Sequence, residues 1–128
     1  RLANVLDQTR PDYLLIELGG NDALRGYPPT KILKNLNEMI DLAKNRNIRV
    51  FLMQIKILPN YGKRYQEQFE SIYLKASNEK KVTLLPFMLD NIALEEGMML
   101  QDGIHPNEKA QPLIAQYVFN DLKPYLNQ

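Results

Sequence analysis

The sequence contains no cysteine, two serines and a single histidine, His105. The absence of cysteine excludes disulfides, thiolate metal sites and a cysteine nucleophile together. It leaves the cellular compartment open, because proteins without cysteine occur in oxidising and reducing spaces alike. One histidine without cysteine leaves only hard oxygen ligands for a metal ion, and no acidic cluster has the spacing of a metal site. We therefore expect neither a metal nor another cofactor.

The charges give no sign of a polyanionic partner. Sixteen basic residues stand against fifteen acidic ones, without a long run of either sign. Such a balance predicts neither nucleic-acid binding nor a polybasic membrane patch. No apolar run approaches the roughly 20 residues that a membrane-spanning helix needs, so we expect no stable membrane insertion.

The hydrophobic pattern alternates between strands and helices. Residues 13–18 form an apolar run between Pro11 and two glycines, which is typical of a buried parallel strand. Two further strands are predicted at residues 49–55 and from Val82 to about Leu85 or Phe87. A 128-residue chain with 45% apolar residues can bury one core, so residues 1–128 are assigned to one domain.

Three amphipathic helices separate or follow these strands. The first starts near Thr30 or the preceding prolines and ends by residues 45–47. The second begins after the turn-rich loop 56–63, and its predicted inward side chains are Tyr65, Phe69, Ile72, Tyr73 and Ala76. The third runs from about Asn107, its candidate cap, to Leu122, and its predicted inward side chains are Leu113, Tyr117 and Leu122.

This alternation predicts an α/β fold with a parallel sheet between two layers of helices, a flavodoxin-like three-layer sandwich. Active loops in such sheets lie beyond the carboxyl ends of the strands. Two polar motifs fall there. Residues 19–22, Gly-Gly-Asn-Asp, directly follow the first strand, and residues 102–106, Asp-Gly-Ile-His-Pro, lie in the long loop after the third.

The motif at residues 19–22 has two interpretations. It is ordinary turn chemistry if Asp22 caps the segment that follows. Alternatively, Asn21 directs its side-chain amide at an oxygen that becomes negative during a reaction, and one such donor can contribute on the order of 3 kcal/mol to a transition state.

The motif at residues 102–106 can form an acid-base pair. A lone histidine in a loop is commonly an ordinary surface residue. However, Asp102 precedes His105 by three residues in a glycine-containing turn, so its carboxylate can reach the ring Nδ1–H and leave Nε2 as a base. Pro106 restricts His105 to an extended backbone, which helps to hold the ring in place.

These two motifs, in this order, resemble two sequence blocks of the GDSL or SGNH hydrolases. The resemblance extends over most of the chain. It includes residues 14–26 (Leu-Leu-Ile-Glu-Leu-Gly-Gly-Asn-Asp-Ala-Leu-Arg-Gly), 52–56 (Leu-Met-Gln-Ile-Lys), 59–62 (Pro-Asn-Tyr-Gly), 84–87 (Leu-Leu-Pro-Phe) and 101–107 (Gln-Asp-Gly-Ile-His-Pro-Asn). Within the superfamily, the chain looks like the bacterial acyl-CoA thioesterases that also act as arylesterases and lysophospholipases.

The resemblance implies serine-dependent hydrolysis of small acyl esters or thioesters. By resemblance, His105 is the general base, Asp102 its orienting acid and Asn21 an oxyanion-hole donor. The implied substrate-binding residues are Gly20, Ala23, Leu24, Ile57 and Tyr61. The loop 23–28 matches a mobile loop beside the acyl site. The resemblance also suggests a periplasmic or secreted location.

The chain departs from the family pattern in one respect. The Gly-Asp-Ser motif and the glycine of the second block have no counterpart, and the only serines, Ser71 and Ser77, fall on the predicted solvent face of a helix. We therefore expect the carboxyl-terminal portion of the fold without its first two strands, inactive without an upstream segment that carries the nucleophile. The alternative is a non-catalytic flavodoxin-like binding or receiver domain, which would show an acidic pair at the end of its first strand.

Overall fold

The computed structural model describes residues 1–126. The chain divides into two compact units, Arg1–Leu84 and Leu85–Gln128. Each unit is built around its own cluster of buried apolar side chains. The assignment of residues 1–128 to one domain stays a prediction.

The described residues form a three-stranded sheet. Its strands are β1 (Tyr13–Ile16), β2 (Arg49–Met53) and β3 (Thr83–Leu85), in the spatial order β1-β2-β3. β1 and β2 are parallel, with Tyr13 opposite Arg49 and Ile16 opposite Leu52. The α/β class and the parallel sheet are confirmed, although each strand is shorter than the apolar run that predicted it.

Four helices belong to the first unit: α1 (Leu2–Thr9), α2 (Gly20–Leu24), α3 (Pro29–Lys44) and α4 (Lys63–Lys80). α3 starts on a proline. The fixed φ of proline suits the first helical turn, and its lack of an N–H costs no hydrogen bond there, because N–H groups in the first turn have no partner within the helix. α3 and α4 pack against each other and both contact β2. Both crossover helices therefore lie on the same face of the sheet.

The core of the first unit joins this face of the sheet to the helices. Its buried members include Ile16, Ile32, Leu36, Ile40, Val50, Leu52, Phe69, Ile72, Tyr73 and Ala76. Burying an aliphatic or aromatic side chain of this size contributes about 1.5–3 kcal/mol. The predicted inward face of α4 is confirmed, with Tyr65 partly buried at its edge.

The second unit consists of an irregular segment followed by α5 (Gln111–Leu122). A single antiparallel bridge joins Met99 to Pro106. A 3-10 helix, Glu108–Ala110, precedes α5, and the Asn107 side chain caps it by accepting the Ala110 N–H at 3.2 Å. Asn107 therefore caps this 3-10 helix, whereas α5 itself starts four residues later than predicted, with Ala110 as its N-cap.

The predicted inward face of α5 is wrong. Leu113 and Tyr117 are exposed at 36% and 37%, and Leu122 is only partly buried. Ile114 is buried, and it packs with Leu89, Ile92 and Ala110. The sequence is ambiguous here because apolar residues occur on several sides of this helix, so their spacing alone does not select one face.

Two smaller expectations are also wrong. Ser77 does not face solvent: it is 9% exposed, and its hydroxyl donates to the Val82 carbonyl oxygen at 2.6 Å, beyond the end of α4. Asp22 does not cap the segment after β1, because Gly19 is the N-cap of α2 and Asp22 lies in its first turn. Within residues 1–126, no helix is both long enough and apolar enough to cross a membrane.

Candidate active site

Asp102 and His105 form a direct side-chain pair in the second unit. Asp102 Oδ2 lies 2.7 Å from His105 Nδ1. A carboxylate only accepts hydrogen bonds, so this contact assigns the proton of the neutral ring to Nδ1 and leaves Nε2 with a free lone pair. The predicted contact between the two side chains is therefore present.

The backbone fixes the same pair. Asp102 Oδ1 accepts the backbone N–H groups of Ile104 at 2.9 Å and His105 at 3.0 Å. Gly103 makes this tight loop possible because its φ of 69° lies in the left-handed region. The loop is closed at its base by the hydrogen bond from Leu100 N–H to the His105 carbonyl oxygen, at 2.8 Å.

These hydrogen bonds favour the charged form of Asp102. They lower the pKa of its carboxyl group from 3.8 to about 2, the largest cause being the side-chain hydrogen bond from His105, followed by the two backbone N–H groups. The side chains remain accessible, with exposed fractions of 64% for His105 and 43% for Asp102. The pair thus combines a fixed ring orientation with an accessible Nε2 face.

The motif at residues 19–22 lies in the first unit, at the start of α2. Gly19, at φ 116°, turns the chain sharply after β1, and α2 starts at the next residue. Asn21 is exposed, Gly20 and Leu24 are partly buried, and Ala23 is fully buried in the core. The Asn21 side chain therefore points away from the core, whereas the Ala23 methyl group faces it.

Two tyrosines of α4 contact the two ends of this segment. Tyr73 Oη donates to the Leu18 carbonyl oxygen at 2.7 Å, and Tyr65 Oη donates to the Tyr27 carbonyl oxygen at 2.6 Å. Burial, followed by the negative charges of Glu17 and Asp22, raises the pKa of Tyr73 far above its ordinary value. Burial and Asp22 also raise the pKa of Tyr65. Both hydroxyls therefore stay protonated as donors.

The protein-family comparison matches residues 1–112 to the GDSL-like lipase/acylhydrolase family. That range contains both motifs and nearly nine tenths of the chain. The chain belongs to this family.

Curated proteins that are similar to this chain are named as esterases and thioesterases. The arylesterase of Vibrio mimicus is 47% identical over 98% of this chain. The thioesterase 1/protease 1/lysophospholipase L1 of Escherichia coli K12 is 43% identical over 99% of this chain. The chain spans 63% and 61% of these two relatives, so it corresponds to about three fifths of their length.

Solved structures of esterases share the fold of this chain. The psychrotrophic esterase EstA from Pseudoalteromonas, in a structure inhibited by monoethylphosphonate, superposes with a TM-score of 0.93 at 39% identity. The match covers 98% of this chain and 68% of EstA. TesA superposes with a TM-score of 0.91 at 41% identity, covering 98% of this chain and 70% of TesA.

Two other candidate substrate-binding residues, Ile57 and Tyr61, follow β2 in the sequence. Ile57 is partly buried and packs against the core of the first unit. Tyr61 ends a 3-10 helix, Pro59–Tyr61, and is also partly buried. Gly20 is connected to this region, because a Cβ placed on it would lie 3.5 Å from the Ile55 side chain. The segment after β2 and the start of α2 are therefore neighbours.

Neither serine of the chain has the setting of a nucleophile. Ser71 Oγ donates to the Gln68 carbonyl oxygen at 2.7 Å within α4, and Ser77 Oγ is bound to Val82. No serine occupies the turn after a strand, where this fold class presents its active groups. Among residues 1–126, no three His, Cys, Asp or Glu side chains are grouped so that they could hold a metal ion.

Sequence reasoning missed the two tyrosine hydroxyls. It placed Tyr65 and Tyr73 on the inward face of α4 and treated them as core. Their spacing of eight residues puts them about 80° apart around the helix axis and a little more than two turns apart along it, within one broad face of the helix. That spacing is the signal, but the acceptors lie 38 and 55 residues away along the chain, where no local pattern marks a backbone carbonyl.

Proposed function

We propose that this chain supplies the acid-base pair and an oxyanion donor of a serine-dependent hydrolase of acyl esters and thioesters. The observation that carries the proposal is the 2.7 Å contact between Asp102 Oδ2 and His105 Nδ1, which orients the ring and frees Nε2. Membership of the family and the names of the relatives support it. The nucleophile in this proposal is the serine of an upstream segment.

The proposed reaction has two halves. In the first, His105 Nε2 takes the proton of the serine hydroxyl while the serine Oγ attacks the acyl carbonyl carbon. The protonated ring, stabilised by the Asp102 carboxylate, then gives this proton to the departing alcohol or thiol. In the second half, His105 Nε2 takes a proton from a water molecule while the water oxygen attacks the acyl carbon, and the protonated ring then returns this proton to the serine Oγ as the acid is released.

Asn21 is the proposed oxyanion donor. Its side-chain amide would donate to the carbonyl oxygen when this oxygen becomes negative in the tetrahedral intermediate. Support comes from its position after a strand end, its exposure, and the fixed helical turn that carries it. The inhibition of EstA by a phosphonate fits the same chemistry, since a tetrahedral phosphonate imitates this intermediate.

The proposed acyl-binding residues are Gly20, Ala23, Leu24, Ile57 and Tyr61. Leu24 and Ile57 offer partly buried apolar surface, as an acyl chain requires. Ala23 would contribute through its backbone, since its methyl group belongs to the core. A periplasmic or secreted location, suggested by resemblance alone, is part of the proposal. The non-catalytic binding or receiver domain is not favoured, because the relatives from Vibrio mimicus and Escherichia coli carry names of hydrolases.

Substitution of the pair in the full-length protein tests the proposal. His105→Ala is expected to abolish hydrolysis of p-nitrophenyl esters and acyl-CoA thioesters. Asp102→Asn should lower kcat by about hundredfold or more, because the ring loses its oriented tautomer. Asp121→Asn on α5 is the matched control and should retain full activity. Normal turnover by His105→Ala would refute the proposed function.

A further inference from the structure

The α2 segment, residues 18–27, is attached to α4 at both of its ends. Tyr73 Oη donates to the carbonyl oxygen of Leu18, immediately before the Gly19 turn. Tyr65 Oη donates to the carbonyl oxygen of Tyr27, immediately after the Gly26 turn. The two glycines have φ values of 116° and 73°, so both ends of the segment turn through conformations that favour glycine.

The Tyr73 side chain is buried, and its hydroxyl fits tightly against the Gly19 turn. Tyr73 is 0% exposed, and its ring packs edge-on against Phe69 with centroids 5.4 Å apart. A Cβ on Gly19 would overlap the Tyr73 hydroxyl, so the turn backbone and this hydroxyl occupy adjoining space. Movement of the Gly19 turn would therefore cost both the hydrogen bond and the packing.

The segment between these two attachments is a short helix without side-chain caps. α2 has five residues, and no side chain caps its first turn. Helices this short are marginal without tertiary support, because nucleation fixes several residues for each hydrogen bond gained. The backbone hydrogen bonds from Ala23 N–H to Gly19 O and from Tyr27 N–H to Asp22 O define the segment. α4 supplies a support at each end of it.

We propose that Tyr73 and Tyr65 are positioning residues, Tyr73 for the Asn21 oxyanion donor and Tyr65 for the acyl-binding turn at residues 23–27. This inference rests on the proposed function, because Asn21 and the turn have their roles there. Tyr73 holds the backbone at Leu18, three residues before Asn21. Tyr65 holds the residue that ends the turn after Leu24.

The two positions predict different kinetic effects. An oxyanion donor acts in the transition state, so Tyr73→Phe should lower kcat by about tenfold or more with little change in KM. An acyl-binding turn acts on bound substrate, so Tyr65→Phe should raise KM for long acyl chains by about threefold or more with little change in kcat. Both effects are measured on the full-length protein with p-nitrophenyl acetate and p-nitrophenyl decanoate.

The conservative variant and a matched control separate positioning from general damage. Incorporation of 3-fluorotyrosine at position 73 keeps the hydroxyl and should restore kcat. Tyr117→Phe, on an exposed helix face outside the proposed machinery, should leave kcat and KM unchanged. Equal losses of kcat in the three phenylalanine variants, or an unchanged kcat in Tyr73→Phe, would overturn the proposal.

Amide hydrogen exchange tests the positioning without any activity measurement. Tyr73→Phe should speed exchange at Ala23, whose N–H is bonded to Gly19 O, and Tyr65→Phe should speed exchange at Tyr27. Unchanged exchange at both amides overturns the inference, whereas a wild-type protein that lacks hydrolysis overturns only the proposed function. If Tyr73→Phe does not fold, Tyr65→Phe decides the test, because Tyr65 is only partly buried.

Discussion

Asp102 holds His105 through both of its carboxylate oxygens. Oδ1 accepts the His105 backbone N–H at 3.0 Å, and Oδ2 accepts the ring Nδ1–H at 2.7 Å. One side chain therefore fixes both the backbone and the ring of the same residue. The arrangement places a residue in the left-handed region between the two partners, and Gly103 adopts this conformation with a φ of 69°.

This relationship has a pH dependence that can be measured. The pKa of Asp102 is lowered in the folded protein, so the hydrogen bonds to its carboxylate contribute stability above about pH 4. That contribution is lost as the pH falls through about 2. We expect the NMR shifts of the Asp102 carboxyl carbon and of the Ile104 and His105 amides to titrate together with this midpoint. A shared midpoint near 3.8, the ordinary value, would show that the loop does not favour the carboxylate.

We expect Gly19, the N-cap of α2, to be sensitive to substitution. An alanine there would adopt a φ of 116° and place its Cβ against the Tyr73 hydroxyl. We expect Gly19→Ala to lower the free energy of unfolding by about 2–5 kcal/mol, from backbone strain and overpacking together. The matched control is Gly26→Ala, at φ 73°, where no atom lies within 4 Å of an added Cβ. The free energy of unfolding of both variants is measured by urea denaturation. An equal decrease in the two variants would show that the contact with Tyr73 does not contribute to the cost of substituting Gly19.

The β1 strand should make the isolated 128-residue chain associate. β1 lies at one edge of the sheet, and its Tyr13 and Leu15 are exposed at 38% and 36%. An apolar edge strand is a template for pairing with another chain, and a lysine on it opposes such pairing. Sedimentation velocity should therefore show oligomers that Leu15→Lys reduces.

The control for this prediction is Leu74→Lys, because Leu74 is 55% exposed on α4 and lies outside the sheet. It should leave the association unchanged. A monomeric wild-type chain, or an equal effect of the two lysine variants, would contradict the role of the β1 edge.

The parts of the fold that could be predicted from the sequence are those with strong local signals. The apolar runs predicted all three strands, and the spacing of Phe69, Ile72, Tyr73 and Ala76 predicted the inward face of α4. The pair of Asp102 and His105 was predictable because both residues belong to one short turn. Local chemistry is sufficient in each of these cases.

The parts that could not be predicted depend on distant partners or on weak periodicity. α5 has apolar residues on several sides, so the burial of Ile114 in place of Leu113 is decided by what α5 packs against. Ser77 looked like a solvent-face residue because its acceptor, the Val82 carbonyl, lies beyond the helix end. The bond between Tyr73 and Leu18 spans 55 residues. Tertiary packing decides the first and the third, and the path of the chain just beyond the end of α4 decides the second.

Labelling with a fluorophosphonate probe, read by intact mass, tests the central claim most directly. The claim is that this chain holds an acid-base pair whose nucleophile is a serine outside its 128 residues. We expect no adduct on the chain alone, one adduct per molecule when a Gly-Asp-Ser segment is joined upstream, and no adduct when that longer protein carries His105→Ala. A stoichiometric adduct on the 128-residue chain, mapped to Ser71 or Ser77, would contradict the account.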